Sequence, residues 1–444
     1  INTLVSKALV ALDEFRLLNQ EQVDNIVEKA SAAARDAARI LAQHANEETG
    51  RGVFEDKVTK NLFASENVAN YLRGLKTVGI VDKNESDGLT TIADPVGVVC
   101  AMVPTTNPTS TTIFKSLTSL KTRNPIIFSF HPAANESSKQ TARIVRDAAI
   151  KAGAPKGCIQ FIEEPSLDAT NALMKHDGVS IILATGGSAM VKAAYSCGKP
   201  ALGVGPGNVP AYVHKDAKLK EAVIDIVLSK SFDNGMICAS EQAAIVDTEH
   251  YEEFIELMKE HHVYFVSKEE KAKLEEFVFG AKAYSHNCAG AKLNADVVGK
   301  PATWIAEQAG FKVPAETKIL AAECAEVGEN EPLTREKLSP ILAVIKSIST
   351  EDGIEKSRQM VEFNGLGHSA AVHTQDEEVV EQFGKVIPAC RILWNTPTSQ
   401  GAIGSIYNAL IPSLTLGCGS YGRNSVSGNV GAVNLLNYKI IARR

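Results

Sequence analysis

Residues 19–47 place Val23, Ile26, Val27, Ala30, Ala34, Ala38 and Leu41 at three- and four-residue intervals in a stretch free of Gly and Pro. This spacing predicts one long amphipathic helix. From about residue 96 the texture changes. Short apolar runs (VGVVCAMV, PIIFSF, CIQFIE, VSIILAT, PALGVG) alternate with helical patterns near 110–121, 136–152, 167–175 and from Ser188. Parallel strands need crossovers and a helix is the usual one, so the alternation predicts a parallel sheet with helices on both faces. A second α/β unit begins with a helix near 217–230. It runs through helical stretches at 249–262 and 267–279 and reaches an apolar strand at 341–348. GLTTIADP (88–95) and NLLNYKIIARR (434–444) read as exposed strands flanking the two units.

A chain of 444 residues is too long for one ordinary core, and two or three folding units are expected. With 44% hydrophobic and 22% charged residues the composition is globular. The formal net charge of -6 leaves no basic footprint, so no nucleic-acid partner is expected. The eight cysteines (100, 158, 197, 238, 288, 324, 390, 418) show no CxxC or Cys/His spacing, and no metal site is expected. No apolar run approaches the roughly 20 residues that span a bilayer. The expectation is therefore free thiols in a reducing cytoplasm, with no membrane partner.

Two glycine-rich stretches imitate a phosphate loop. Gly417-Cys418-Gly419-Ser420-Tyr421-Gly422 fits GxGxxG, but the residues after it cannot make the helix that this fingerprint requires, so a tight surface or substrate-edge loop is expected. Gly203-Val204-Gly205-Pro206-Gly207-Asn208 lies between two strands and reads as a backbone turn. The preferred anion site is Thr185-Gly186-Gly187-Ser188, which follows an apolar strand and opens a helix whose free N–H groups face outward. Ser188 also reads as an ordinary N-cap.

Cys238 sits in Phe232-Asp233-Asn234-Gly235-Met236-Ile237-Cys238-Ala239-Ser240-Glu241-Gln242. Alone, a buried cysteine is more often a small hydrophobe than a nucleophile. Other segments change that balance. Val103-Pro104-Thr105-Thr106-Asn107-Pro108, the ATGGS turn, the cysteine segment, Glu336-Lys337-Leu338-Ser339-Pro340 and Asn364-Gly365-Leu366-Gly367-His368 follow one another in an order that resembles the aldehyde dehydrogenase superfamily over essentially the whole chain. IFKSLTSLKTRNPIIFS, SFDNGMICASEQ and PSLTLGCGS are most similar to the CoA-acylating aldehyde dehydrogenase half of bifunctional aldehyde/alcohol dehydrogenases.

The resemblance implies a reaction: aldehyde, with acetaldehyde as the expected substrate, plus NAD and CoA give acyl-CoA and NADH, reversibly. Cys238 would attack the carbonyl as thiolate, forming a thiohemiacetal and then a thioester, and Asn107 would donate its amide to the oxyanion. His368 matches a position typical of the acylating group and is a candidate to assist the CoA thiol. NAD would lie along Met102, Val103, Pro104, Thr105, Thr106 and Asn107, on Gly187, near Gly205, on Glu336 through a ribose hydroxyl, and near Leu416. His131-Pro132-Ala133-Ala134 departs from the usual Lys-Pro-Ser-Glu that holds the adenine ribose, so NAD rather than NADP rests on the group. Hydrolytic members carry a glutamate where this chain has Gly203-Val204-Gly205-Pro206, and no carboxylate occurs between Asp177 and Asp216. Without that base, water attack on the acyl-enzyme should be slow.

The expected fold is α/β of the aldehyde dehydrogenase type. It comprises a Rossmann-like NAD domain at 1–222 with a return segment near 409–430, a catalytic domain at 223–408, and an oligomerisation strand pair at 85–95 and 432–444. A homo-oligomer is expected. So is fusion to, or assembly with, an iron-dependent alcohol dehydrogenase domain, which residues 1–444 do not contain.

Overall fold

The computed structural model describes residues 1–280 and 292–444, which leaves Cys288 outside the described residues. The chain opens with the helices Asn2–Arg16, Gln20–Asp36, Ala38–Thr49 and Phe54–Leu62. The single helix expected over 19–47 is two helices meeting at Ala37, whose backbone (φ -89, ψ 0) ends the first and starts the second. Ala30, Ala34, Ala38 and Leu41 are buried on both sides of the break. Periodicity reports the buried face, and that face runs on unchanged. The entry into the second helix is sharper: Asn19 accepts from the Gln22 backbone while the Gln22 side chain accepts from the Asn19 backbone.

Strands β1 (Gly79–Asn84) and β2 (Leu89–Pro95) form an antiparallel hairpin. Next come β3 (Val99–Val103), β4 (Ile126–Phe130), β5 (Ile159–Phe161), β6 (Ile181–Ala184) and β7 (Ala201–Gly203), which pair in parallel in the order β5-β4-β3-β6-β7. A second parallel sheet holds β8 (Val209–Val213), β9 (Glu241–Asp247), β10 (Val263–Phe265), β11 (Ile319–Cys324), β12 (Ile341–Ser347), β13 (Gly367–His373) and β14 (Ala389–Trp394). Their order is β10-β11-β12-β9-β8-β13-β14. The last strand, β15 (Leu436–Ala442), pairs antiparallel with β2.

Two expectations are corrected here. β8 belongs to the second sheet, so the sheets divide at 204–208 and not near 222. An apolar strand such as VPAYV carries no mark of which sheet it joins. The flanking element is also a sheet of three strands and not a pair. β1 alternates poorly and is mostly exposed, which hid it.

One apolar cluster runs from Phe15 and Val27 through Val99, Phe128 and Leu183 to Ala211, Val246 and Leu342, and so joins the first sheet to one face of the second. The segment 409–430 returns against the first unit: Thr415 Oγ1 lies 3.0 Å from Thr185 Oγ1, and Tyr195 Oη accepts from the Ser425 backbone. Among the described residues no helix is long and apolar enough to cross a membrane.

Candidate active site

In parallel sheets the loops beyond the strand ends carry the ligands, because strand C-termini and helix N-termini open there together. In this chain the C-terminal ends of β3, β6 and β7 carry Met102–Asn107, Gly187 and Gly205. Cys238 and His368 stand at the opposite, entering edge of the second sheet, just before β9 and at the start of β13. The turn 204–208 joins the two. Its Gly207 N–H donates to Glu336 Oε1 at 2.9 Å, and a Cβ on Gly207 would overlap the Cys238 carbonyl oxygen. The turn read as plain punctuation in the sequence is therefore the contact between the cysteine segment and the glutamate.

Cys238 Sγ lies 3.2 Å from His368 Nε2. The other ring nitrogen, Nδ1, is 3.1 Å from Ser369 Oγ, which accepts from Arg391 Nε at 3.1 Å. Arg391 is buried and donates to the His368 and Gly417 carbonyls at 2.7 Å each and to Asn429 Oδ1 at 3.3 Å. All of these partners are neutral. Burial pushes the Cys238 thiol up to about 12. Glu336 and Cys418 add to that rise and Arg391 opposes it. Burial, helped by Arg391, holds His368 well below the usual imidazole range. Both effects favour uncharged forms, so the resting pair is thiol and neutral imidazole. The imidazole is then free to take a proton, and no ion pair is stored beforehand.

Thr105 accepts from Arg51 Nη1 at 3.0 Å, and the Met102 carbonyl accepts from the buried Lys115 Nζ at 2.6 Å. Val103 and Leu416 are buried, Pro104 is half-buried, and a Cβ on Gly205 would lie 3.8 Å from Cys418 Sγ. Asn107 has no recorded contact with Cys238. Its Nδ2 donates to Thr106 Oγ1 at 3.1 Å and its Oδ1 accepts from Lys60 Nζ at 2.6 Å.

Gly187 takes the N-cap position that the sequence reading gave to Ser188. A Cβ there would meet nothing within 4 Å, so the helix Ser188–Tyr195 begins in open space. The GxGxxG loop has no helix after it through residue 431. It is not a surface loop throughout: Gly417, Cys418 and Gly419 are buried beneath exposed Ser420 and Tyr421, and a Cβ on Gly422 would overlap Cys418 and crowd the Leu366 carbonyl. Among the described residues no group of three or more His, Cys, Asp or Glu could hold a metal ion.

Sequence reading missed Gly207, Ser369, Arg391 and Lys60. Arg391 alone left a trace, as a cation inside the otherwise apolar strand ACRILW.

The model of the aldehyde dehydrogenase family matches residues 1–406. Over its whole length the chain is 70% identical to the aldehyde-alcohol dehydrogenase of Streptococcus pneumoniae, of which it covers 50%; it thus spans about half the length of the first curated relatives it matches. The solved structure of an acetylating aldehyde dehydrogenase from Geobacillus thermoglucosidasius superposes with a TM-score of 0.96 at 45% identity, covering 100% of this chain and 96% of that one. A propionaldehyde dehydrogenase from Rhodopseudomonas palustris, solved with bound CoA and an acylated cysteine, matches with a TM-score of 0.86 at 28% identity over 100% and 96% of the two chains.

Two outcomes are expected from this geometry. Gly207→Ala forces the turn away from the Cys238 carbonyl and should lower thermal stability and turnover together, with loss of at least about 2 kcal/mol, as for overpacking in a tight interior. Thermal unfolding monitored by circular dichroism checks it, and an unchanged midpoint refutes the tight contact. In the ligand-free protein, alkylation of Cys238 by iodoacetamide should be slow at neutral pH and still rising at pH 10, because the thiol is held up to about 12. Peptide mass spectrometry reads this site by site. A plateau below pH 8 would reveal a preformed thiolate–imidazolium pair instead.

Proposed function

The chain belongs to the aldehyde dehydrogenase family, and from that premise we propose that it is a CoA-acylating aldehyde dehydrogenase converting an aldehyde, NAD and CoA to acyl-CoA and NADH through Cys238. The carrying observation is the Cys238–His368 contact of 3.2 Å, set beside Glu336, whose Oε1 accepts from the Gly207 N–H. Acetaldehyde with acetyl-CoA is the preferred pair, since the closely similar Geobacillus protein is described as acetylating. The CoA and acylated cysteine of the Rhodopseudomonas protein support acyl transfer to the CoA thiol as the second half-reaction.

The residues fit a dinucleotide. The open helix start at Gly187, where a Cβ would meet nothing, suits a pyrophosphate, and the half-buried Glu336 suits a ribose hydroxyl. NAD, when bound, supplies the hydride acceptor. The chain's own groups do the rest. Cys238 Sγ bonds to the carbonyl carbon, and its proton passes through His368 Nε2 towards the carbonyl oxygen, giving the thiohemiacetal. Asn107 would donate its amide to that oxygen while it carries negative charge. After oxidation to the thioester, the CoA sulfur displaces Cys238 Sγ, and His368 is the group in reach to carry the CoA proton to the leaving sulfur. Hydrolysis would need a carboxylate free to take a proton from water. Gly203 stands where hydrolytic relatives have one, and Tyr195 and Val191 fill the space beside it.

Domain roles follow the same reading: NAD on the first sheet, chemistry at the entering edge of the second, and assembly of copies through the sheet β1-β2-β15, where Tyr438, Ile440 and Ile441 are exposed. In the longer relatives, an alcohol dehydrogenase partner domain would use or supply the aldehyde.

With aldehyde and NAD alone, the protein should release a burst of at most one NADH per site and then stall, with an acyl increment on the Cys238 peptide. CoA should restart turnover, and Cys238→Ala should abolish both phases. Stopped-flow absorbance and acid-quench mass spectrometry read the two phases, and sustained carboxylic acid release without CoA at a similar rate would return the protein to the hydrolytic class. A second expectation concerns pH. Burial raises the Glu336 carboxyl to about 7, with the Gly207 N–H opposing the rise. A ribose hydroxyl donates best to the ionised form, so NAD should bind more tightly as pH climbs from 6 to 8. Glu336→Gln should flatten that dependence in a fluorescence titration, and an unchanged slope removes Glu336 from the cofactor site.

A further inference from the structure

Lys60 lies on the helix Phe54–Leu62 and is 3% exposed, far from any segment that the sequence marks as chemical. Its ammonium has three neighbours: the Asp233 carboxylate, Asn107 Oδ1 at 2.6 Å, and the Phe232 ring, whose centroid is 5.8 Å away. An ammonium only donates, so the Asn107 oxygen is committed as an acceptor, and the amide nitrogen, with one hydrogen on Thr106 Oγ1, keeps its second hydrogen to donate.

Asp233 is the fixed point of this cluster. It is fully buried, and it accepts from the Val53 N–H at 2.7 Å and from Lys57 at 3.3 Å as well as from Lys60. Its own N–H donates to Asp56 Oδ2 at 2.7 Å. With Asn234 it adopts left-handed backbone (φ 47 and 53), a turn that delivers the chain into the Cys238 segment five residues later. Two lysines thus face Asp233 and the neighbouring Asp56, which balances a charge cluster that would otherwise be costly to bury. Through Asp233 and Lys60, the PTTN turn is tied to the turn that leads to the nucleophile.

We infer that Lys60 is a positioning residue for the acylation reaction. It holds the Asn107 amide with Nδ2 leading and polarises it, so that the N–H donates more strongly to the oxyanion formed on the aldehyde carbonyl. Hydrogen bonds in a chain strengthen one another in a low-dielectric site, and a charged donor at one end has the largest effect. The inference rests on reading Asn107 as the oxyanion donor, and it adds the group that sets the direction of that donor.

The test is a double-substitution cycle on the full chain: the parent, Lys60→Met, Asn107→Ala and the two combined. Each is measured for the rate of the NADH burst at saturating aldehyde and NAD, for the NAD dissociation constant, and for thermal midpoint. Removing one oxyanion donor slows such steps about 10²-fold or more. Asn107→Ala should show that loss. Lys60→Met should slow the burst about tenfold with the NAD dissociation constant within about twofold, on the scale of a lost charge-assisted hydrogen bond. In the Asn107→Ala background, Lys60→Met should cause no further slowing, because the group it acts through is gone. A merely structural role predicts the opposite: slowing that multiplies in the double variant and a weaker NAD site. Multiplied losses, or an unchanged burst in Lys60→Met, overturn the inference while leaving Asn107 as a donor. A full-rate burst in Asn107→Ala overturns the oxyanion reading itself. If Lys60→Met does not fold, Lys60→Met/Asp233→Asn removes both charges together and is entered in the same cycle.

Discussion

The centre of this molecule depends on a backbone passing between two sheets where there is no room for a side chain. The turn 204–208 leaves the last strand of the five-stranded sheet and enters the seven-stranded one, and at Gly207 it presses on the Cys238 carbonyl while donating its N–H to Glu336. Had this position carried a Cβ, the turn would have to lift, and three things would separate: the strand ends of the first unit, the cysteine segment, and the glutamate. Asn208 secures the next residue by donating to the Thr334 and Met360 carbonyls at 2.9 and 2.8 Å. Other glycines make similar close approaches. Gly367 has φ +80 and no space for a Cβ against the Cys418 carbonyl, which is how the start of β13 brings His368 against Cys238.

Around that constraint the chain buries several basic side chains. Burial is expensive for an ion unless hydrogen bonds replace its water. Arg391 finds neutral acceptors on three segments. Lys337 donates to the Gln242, Leu333 and Arg335 carbonyls, and Lys115 bridges the Met102 and Leu183 carbonyls at the end of the first sheet. Each of these side chains therefore staples main chain from separate segments, while burial holds the Lys115 amine down to about 7 and the Lys337 amine well below the usual lysine range. The electrostatic consequence is local. Arg391 lowers the cost of a negative Cys238 and raises the cost of a positive His368, so the transient states it favours are thiolate beside neutral imidazole. Glu336 works against the thiolate.

The elements were legible because they are local. Strands β3, β4, β5 and β6 and the helices between them follow from short apolar runs and helical spacing, and Cys238 and Asn107 stood out through the segments that contain them. The boundaries failed where local pattern is silent. Ala37 breaks a helix without disturbing its apolar stripe, VPAYV does not name its sheet, and the exposed strand β1 scarcely alternates.

The sequence by itself determined the α/β alternation, the candidate nucleophile, the family likeness, and the lack of a carboxylate between Asp177 and Asp216. Tertiary structure alone decided which groups meet. His368 is 130 residues from Cys238 and reaches it at 3.2 Å, Lys60 is 47 residues from Asn107 and 173 from Asp233, and Arg391 touches segments from 368 to 429. Spacing along a chain fixes which face a residue shows, because helix and strand periods are short. It says nothing of separations across two packed sheets, which are set only when the apolar faces close on one another and the buried polar groups find their partners.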